Sequence, residues 1–325
     1  MAALGLAFAF PVRAQLTRPQ TIQLHRGWNS VFLEVMPANG SPATVFAGAP
    51  VDIVATFLNS ASTVQFIKNP ANIGWKRDGW GVWYAPGRPD SFLSTLHGMD
   101  GNRAYLIHAT ADHTLTIEGA VAVNSVRWKP DSYNFVGFCL DTASPPTFEK
   151  FFAGSKAHRH FKIYRLANDQ WTPVTNPTGT VMRASEAFWI HCRGGSDYQG
   201  PLSVKLPAGR QLVFSEGGST QLVFGNQSAD PSSVRVETMG NSAPPMAFVV
   251  QGITEGRINN LPLDFPADYR LPTLEPGAKG SLRLVLRKEQ MPDSLRTALL
   301  KITADCGAQL WVPVVASRSD LSSNP

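Results

Sequence analysis

Trp75, Trp80, Trp83 and Tyr84 crowd one short stretch of the chain, with Lys76, Arg77 and Asp78 among them. Indoles turned to solvent make a flat apolar platform on which a sugar ring stacks, and charged neighbours bind its hydroxyls. Trp83 is expected in the core, where an indole contributes a large apolar area. Trp75 and Trp80 are the candidate platform, with Lys76, Arg77 and Asp78 beside them. A second concentration is basic: Lys150, Lys156, His158, Arg159, His160, Lys162 and Arg165. Within it Lys156, His158, Arg159, His160 and Lys162 form a candidate patch for an anionic polysaccharide or envelope partner. The run covers a helix end and the following strand, so its side chains alternate in direction, and a solvated, edge-protecting face is the competing reading.

Signatures of catalysis are missing. The chain has no HExxH, no paired CxxC, no phosphate-binding glycine loop and no nucleophile elbow. Gly194-Gly195-Ser196-Asp197-Tyr198 starts like an elbow, lacks its last glycine and reads as a turn. His158 and His160 share one strand face, which gives two metal ligands where a structural site wants about four. Carboxylate pairs for glycoside hydrolysis meet only in three dimensions and cannot be argued from spacing. No catalytic residue, metal site or cofactor is expected.

The elements that position these residues are written twice. Gly27-Trp28-Asn29-Ser30-Val31-Phe32-Leu33 opens one unit and Ser132-Tyr133-Asn134-Phe135-Val136-Gly137-Phe138 a second. Each continues with Ser-Pro-x-Thr (Ser41 to Thr44, Ser144 to Thr147), then Phe-Ala-Gly (Phe46 to Gly48, Phe152 to Gly154). Each closes on an apolar strand, Ala104 to Ala109 and Ala187 to Cys192, which places His108 and His191 at equivalent positions serving the fold. Ser-Pro supplies an N-cap and a proline at the first helical position, so a short helix is expected after it in both units. In the first unit strands are predicted at 21–24, 29–35, 63–67, 81–84, 103–109 and 114–117, and a helix at 51–58. In the second they are predicted at 121–128, 134–140, 161–166, 186–192 and 202–205, with a helix at 147–153. From Arg210 short apolar runs alternate with turn residues at 211–215, 221–225, 233–237, 247–251, 281–287, 298–303 and 310–315. Leu282, Leu284 and Leu286 alternate with charged neighbours as a half-buried strand requires. About seven strands in this length is the pattern of an immunoglobulin-like sandwich.

Composition sets the class. The 325 residues, 43% hydrophobic and 16% charged, are ordinary for folded protein, and Gly 27 with Pro 25 favours strands and turns. Net charge is +5 and the isoelectric point 9.2, too mild and too dispersed for a nucleic-acid binder. Residues 1–14 contain an apolar stretch, Ala2 to Phe10, that is too short to span a bilayer and fits a signal-peptide core, with Val12-Arg13-Ala14 before a cleavage point. No later segment reaches transmembrane length. Cys139, Cys192 and Cys306 are an odd set, so at least one is unbridged. Strand parity opposes a Cys139–Cys192 bridge. Cys139 lies on the face where the first unit carries Glu34, whereas Cys192 shares a face with Phe188 and Ile190.

Gly27-Trp28-Asn29, an apolar strand, a short helix, a tryptophan-rich strand and Gly101-Asn102-Arg103-Ala104-Tyr105-Leu106-Ile107 resemble a module of secreted and surface proteins of bacteria and archaea, seen there as GWN followed by GYWI. The second copy departs from it at Ser132, Tyr133 and Phe188-Trp189-Ile190. The tail, with Leu274-Glu275-Pro276-Gly277 before the leucine strand, resembles bacterial immunoglobulin-like domains. These resemblances imply an extracellular, multi-module, accessory role.

The expected fold is mainly β with short helices: two related small α+β modules in tandem (15–119 and 120–209), an immunoglobulin-like β-sandwich (210–317) and a disordered tail (318–325). The expected function is a non-enzymatic secreted or cell-envelope protein, a structural or binding part of a surface assembly whose partner is a surface protein or polysaccharide. A carbohydrate-binding accessory protein using Trp75 and Trp80 is the alternative, and a hydrolase with an unrecognised site the third reading.

Overall fold

A computed structural model describes residues 16–58, 79–121, 123, 126–207, 209–214, 218–240, 242–254, 257–293 and 295–318. The leader-like residues 1–14, the strand predicted at 63–67, and Trp75, Lys76, Arg77 and Asp78 lie outside these residues. So does all but the first residue of the tail. The fold is mainly β with short helices, and among the described residues no helix is long and apolar enough to cross a membrane.

The first unit runs β1 (Thr17–Leu24), β2 (Gly27–Leu33), β3 (Met36–Pro37), α1 (Pro42–Val45), β4 (Val51–Phe57), β5 (Trp80–Tyr84), β6 (Arg103–Ala109) and β7 (His113–Ala120). One antiparallel sheet has the order β2-β6-β4-β5 and a smaller one β1-β7-β3. The helix expected at 51–58 is strand β4. Val51, Ile53, Val54 and Thr56 are β-branched, stiff at χ1 and suited to a pleated surface. Pro42 begins α1 as expected, although the Ser41 side chain makes no capping bond.

The second unit runs β8 (Ser132–Gly137), α2 (Phe148–Phe152), β9 (Ile163–Ala167), β10 (Gln170–Pro173) and β11 (Ala187–Cys192), and its sheet has the order β8-β11-β9-β10. This is the first unit's order, strand for strand. Trp28 pairs with His108 across β2 and β6, and Tyr133 with His191 across β8 and β11. The units differ most between the two hairpin strands. Residues 58–79 join β4 to β5, whereas Asn168 and Asp169 alone join β9 to β10, both with positive φ (49° and 59°), as a type I′ turn needs. Thr147, not Ser144, caps α2, its hydroxyl accepting the Lys150 N–H at 3.2 Å.

The strand expected at 121–128 does not form among the described residues of that stretch. Its backbone is satisfied by side chains instead of a neighbouring strand: the Val126 N–H donates to Gln199 Oε1 at 2.5 Å, and the Gln199 amide donates back to the Val126 carbonyl at 2.9 Å.

The third part contains β12 (Leu202–Lys205), β13 (Leu212–Val213), β14 (Ser219–Asn226), β15 (Val234–Met239), β16 (Met246–Thr254), β17 (Arg257–Asp264), β18 (Asp268–Arg270), β19 (Lys279–Leu286), β20 (Leu295–Ala304) and β21 (Gln309–Ser317). Two five-stranded sheets, β12-β14-β19-β16-β17 and β13-β21-β20-β15-β18, face each other as a sandwich over Leu222, Phe224, Leu284, Val236, Leu300 and Val312. β12, expected as the last strand of the second unit, pairs with β14, so the sandwich begins ahead of residue 210. The apolar alternation around β12 is equally compatible with either sheet, and only the partner strand decides.

Both units bury their main sheets on two faces. Tyr105 and Ile107 of β6 point into the first unit's own core with Phe46 and Trp83, and Phe188 and Ile190 of β11 point into the second unit's core with the phenylalanines of α2. Leu106 and Trp189, the intervening residues, enter a shared core that also takes Ile53, Val82, Tyr84 and Trp171. The outer layers are the small β1-β7-β3 sheet with α1 on the first unit and α2 on the second, and the two main sheets lie between them. Two main-chain hydrogen bonds tie the sandwich to the second unit and form an antiparallel bridge between Leu140 and Ala308: the Gln309 N–H donates to the Cys139 carbonyl at 3.2 Å, and the Asp141 N–H donates to that of Gly307 at 3.0 Å.

Candidate functional site

Trp80 opens β5 and is half-buried in the shared core. Its ring lies 5.4 Å from Phe57, 6.2 Å from Phe135 and 6.2 Å from Trp189. Parity along β5 puts Trp80, Val82 and Tyr84 on one face and Trp83 on the other. Trp83 is buried as expected, stacked on Phe46 at 6.0 Å. In a sheet with one wet face Trp80 would reach solvent, but this sheet has a second dry face, built by the other unit.

The two opening motifs do the same local work. Asn29 Oδ1 accepts the His25 N–H at 2.9 Å, and its Nδ2 donates to the carbonyls of His25 (2.7 Å) and Gly27 (3.1 Å). Asn134 Oδ1 accepts the Lys129 N–H at 2.8 Å, and its Nδ2 donates to the carbonyls of Lys129 (3.2 Å) and Ser132 (3.0 Å). Each amide imitates a backbone strand and closes the loop ahead of it. Gly27 has φ 102°, which favours glycine; in the second unit the positive φ falls one residue earlier, on Asp131 (50°), and the equivalent of Gly27 can be Ser132. The aromatic residue of each motif stands edge-on to the equivalent histidine: Trp28 to His108 at 5.1 Å, Tyr133 to His191 at 5.1 Å.

His108 is further fixed by charge. A bulge after Val51 aims Asp52 so that its Oδ1 meets His108 Nδ1 at 2.6 Å and its Oδ2 accepts from Arg88 at 2.6 Å, and Arg88 also holds Asp90 at 2.9 and 3.1 Å. A carboxylate on Nδ1 orients an imidazole as in many bases. Here the chain of contacts clasps β4, β6 and the segment following β5 at one end of the sheet.

The basic run separates into two populations. His158 is buried, its ring 4.1 Å from Trp128 and 5.1 Å from Phe152, with Nδ1 bonded to Ser155 Oγ at 2.6 Å. Burial, helped by His191, holds its imidazole at about 4, so it is neutral at pH 7 and leaves the candidate patch. Strand parity could not find this, because residues 156–158 form a 3-10 turn that rolls His158 inward. Lys156, Arg159, His160 and Lys162 are exposed, and Arg193, which sequence reasoning missed, joins them through a 2.6 Å bond to His160 Nε2. The signal for Arg193 was its place directly after the closing strand, whose His191 N–H donates to the Lys162 carbonyl at 2.9 Å. Arg165 points elsewhere and holds Glu186 at 3.0 and 2.5 Å.

A cavity of about 180 Å³ lies where the three parts meet, lined by Glu34, Cys139, Gln227, Lys205 and Trp311 among others. Glu34 pairs with Arg18, whose guanidinium also covers the Trp311 ring at 4.9 Å. Burial raises Glu34 despite Arg18, and burial with the Glu34 charge pushes the Cys139 thiol well up. A thiol raised in this way is protonated at neutral pH and a poor nucleophile. All three cysteines are free.

No family model matches the chain, and no curated protein matches it. Among solved structures it is similar to the ASH/PapD-like domain 7 of human CEP192 (9% identity, TM-score 0.24, 38% of this chain and 87% of that one). It is also similar to a chain of the Salmonella enterica SafA pilin–SafB chaperone complex (19%, TM-score 0.26, 38% and 57%), so it spans little more than half of that chain. A third is the Enterococcus faecalis MSCRAMM ACE, described as binding its ligands by the collagen hug model (7%, TM-score 0.21, 92% and 89%). At these TM-scores the likenesses carry no functional argument.

Proposed function

We propose that this chain is a non-enzymatic protein of the cell exterior, secreted or held in the envelope, that serves as a structural and binding part of a surface assembly. The observation that carries this reading is the continuity of packing across the three parts. The two units share an aromatic core, and the start of β21 in the sandwich is bonded to the segment that follows β8, at Cys139 to Asp141. Such continuity suits a body that holds surfaces at fixed spacing. The charged and titratable side chains at the sheet ends are engaged in that framework, Asp52, Arg88 and His108 as a clasp and His158 as a neutral core residue.

The two units are read as copies of one module related to the GWN…GYWI type. Identical strand order, the matched Trp28–His108 and Tyr133–His191 pairs and the matched asparagine bonds support this. The leader at 1–14 belongs to the same proposal. The second reading, carbohydrate binding, is favoured by the exposed cations around Arg193 rather than by Trp80.

Fractionation of the native cells tests the proposal, with protease added to intact cells. The full chain should be recovered from the envelope or medium and be cleaved from outside. Recovery in the cytosol, shielded from protease, would sink the proposal.

A further inference from the structure

Lys156, Arg159, Lys162 and Arg193 are exposed and hold no carboxylate among the described residues. Arg18, Arg88, Arg165, Arg235, Arg287 and Arg296 each hold an Asp or Glu, whereas exposed cations such as Arg183, Lys279 and Arg283 share the unpaired state of these four, so it is their gathering at one place that sets the four apart. The unpaired cations are also gathered by the fold. Residues 156–162 wrap the end of β11, the Ala157 carbonyl accepting the Arg193 N–H at 3.0 Å and the Lys162 carbonyl that of His191 at 2.9 Å.

Arg193 donates to His160 Nε2. A ring nitrogen that accepts from a guanidinium carries no proton, so His160 positions Arg193 without neutralising it. The local field is positive. Burial first, then Lys162, lower the protonation of His191, and Asp131 is the opposing carboxylate. Asp131 Oδ1 is itself engaged by the Gly194 N–H at 2.8 Å. Beside the cations His191 meets Tyr133, and Tyr133 meets Tyr164 at 5.7 Å, both tyrosines half-buried against the shared core with part of each side chain left accessible.

We propose that this face docks an acidic polysaccharide, its carboxylate or sulfate groups held by Arg193, Lys162 and Arg159, with the accessible parts of Tyr133 and Tyr164 beside it. A positioned guanidinium without a carboxylate is the group best suited to bidentate capture of such anions. A glycan fits better than nucleic acid because the cluster is small, adjoins Asp131 and aromatic surface, and sits on a chain of only +5. The assignment rests on the exterior reading given above and names its partner.

The test is affinity electrophoresis of the full chain through polygalacturonate, dextran or duplex DNA, at low and physiological salt. Polygalacturonate should retard the protein and dextran should not. The double variant Arg193→Gln/Lys162→Gln should bind polygalacturonate about tenfold or more weakly, with a shallower salt dependence. Its unfolding curve should be unchanged, because both side chains are exposed. Lys279→Gln/Arg283→Gln removes the same charge from exposed positions on the sandwich and should bind as the wild type does. No retardation, equal loss in both double variants, or DNA binding as tight as polygalacturonate binding would each overturn the assignment. A protein found outside the cell that ignores polygalacturonate loses this assignment alone. Cytosolic recovery removes the exterior reading itself, whatever the gels show.

Discussion

Trp80 and Trp189, one from each unit, meet edge to face with ring centroids 6.2 Å apart and planes at 64°. Trp189 is fully buried and Trp80 half-buried, so both contribute to the cohesion of the pair of units. Trp189→Ala should cost about 3–5 kcal/mol, the usual range for a large aromatic lost from a core, and Trp80→Ala about 2 kcal/mol. Urea unfolding measures both; a Trp80→Ala protein as stable as wild type would contradict its place in the shared core.

The two loop-closing amides make a matched pair of predictions. Asn29→Ala and Asn134→Ala each remove one acceptor interaction and at least two donor interactions with main-chain groups, for an expected loss of about 1–3 kcal/mol each. Replacement by Asp keeps the acceptor and loses the donors, so it should fall between wild type and Ala. Thermal unfolding of the four single variants orders them.

Acid should weaken the fold through His158. Its folded value of about 4 lies below its ordinary value of 6.5, so the fold favours the neutral ring. The stabilisation is complete above about pH 6.5 and is lost as pH falls toward 4, up to about 3 kcal/mol. Glu34, raised by burial, works in the opposite sense, because its protonation relieves the fold. The diagnostic is therefore the difference between wild type and His158→Gln, whose stability should lack this part of the decline between pH 6.5 and 4. Identical pH profiles would refute it.

The repeated Phe-Ala-Gly motif keeps its glycine for different reasons in its two copies. Gly48 has φ 76° and open space where a Cβ would go, whereas a Cβ on Gly154 would collide with the Gln227 carbonyl oxygen of the sandwich. Gly48→Ala should cost about 1 kcal/mol. Gly154→Ala should cost more and should loosen the sandwich from the second unit, read as faster proteolysis near residue 200 with the sandwich itself intact.

Much of this architecture could be read from residues before any coordinates. The order of repeated motifs anticipated two sheets of one topology, and the leucines at 282, 284 and 286 anticipated β19. Parity along β8 and β11 kept Cys139 and Cys192 apart, and both are free. The failures share a cause: each needed knowledge of a partner that local pattern does not contain. β4 is apolar on both sides because sheets cover it on one face and a helix with further strands on the other, and that continuous run imitates a buried helix. Trp80 imitated a surface platform because the sheet that covers it belongs to the other unit. His158 imitated a surface base until Trp128 and Phe152 closed over it. Arg193 stood outside the basic run in sequence and entered it only through the hydrogen bond to His160.

The two-sided burial of the main sheets has a consequence for how many chains are needed to build them. A polypeptide with one unit would leave the face of Leu106, or of Trp189, bare to water, and its cheapest remedy would be a second molecule of itself, at a stability set by concentration. Tandem arrangement on one chain makes that encounter intramolecular, with an effective concentration fixed by the short connection between β7 and β8. The pair of units is thus indifferent to dilution.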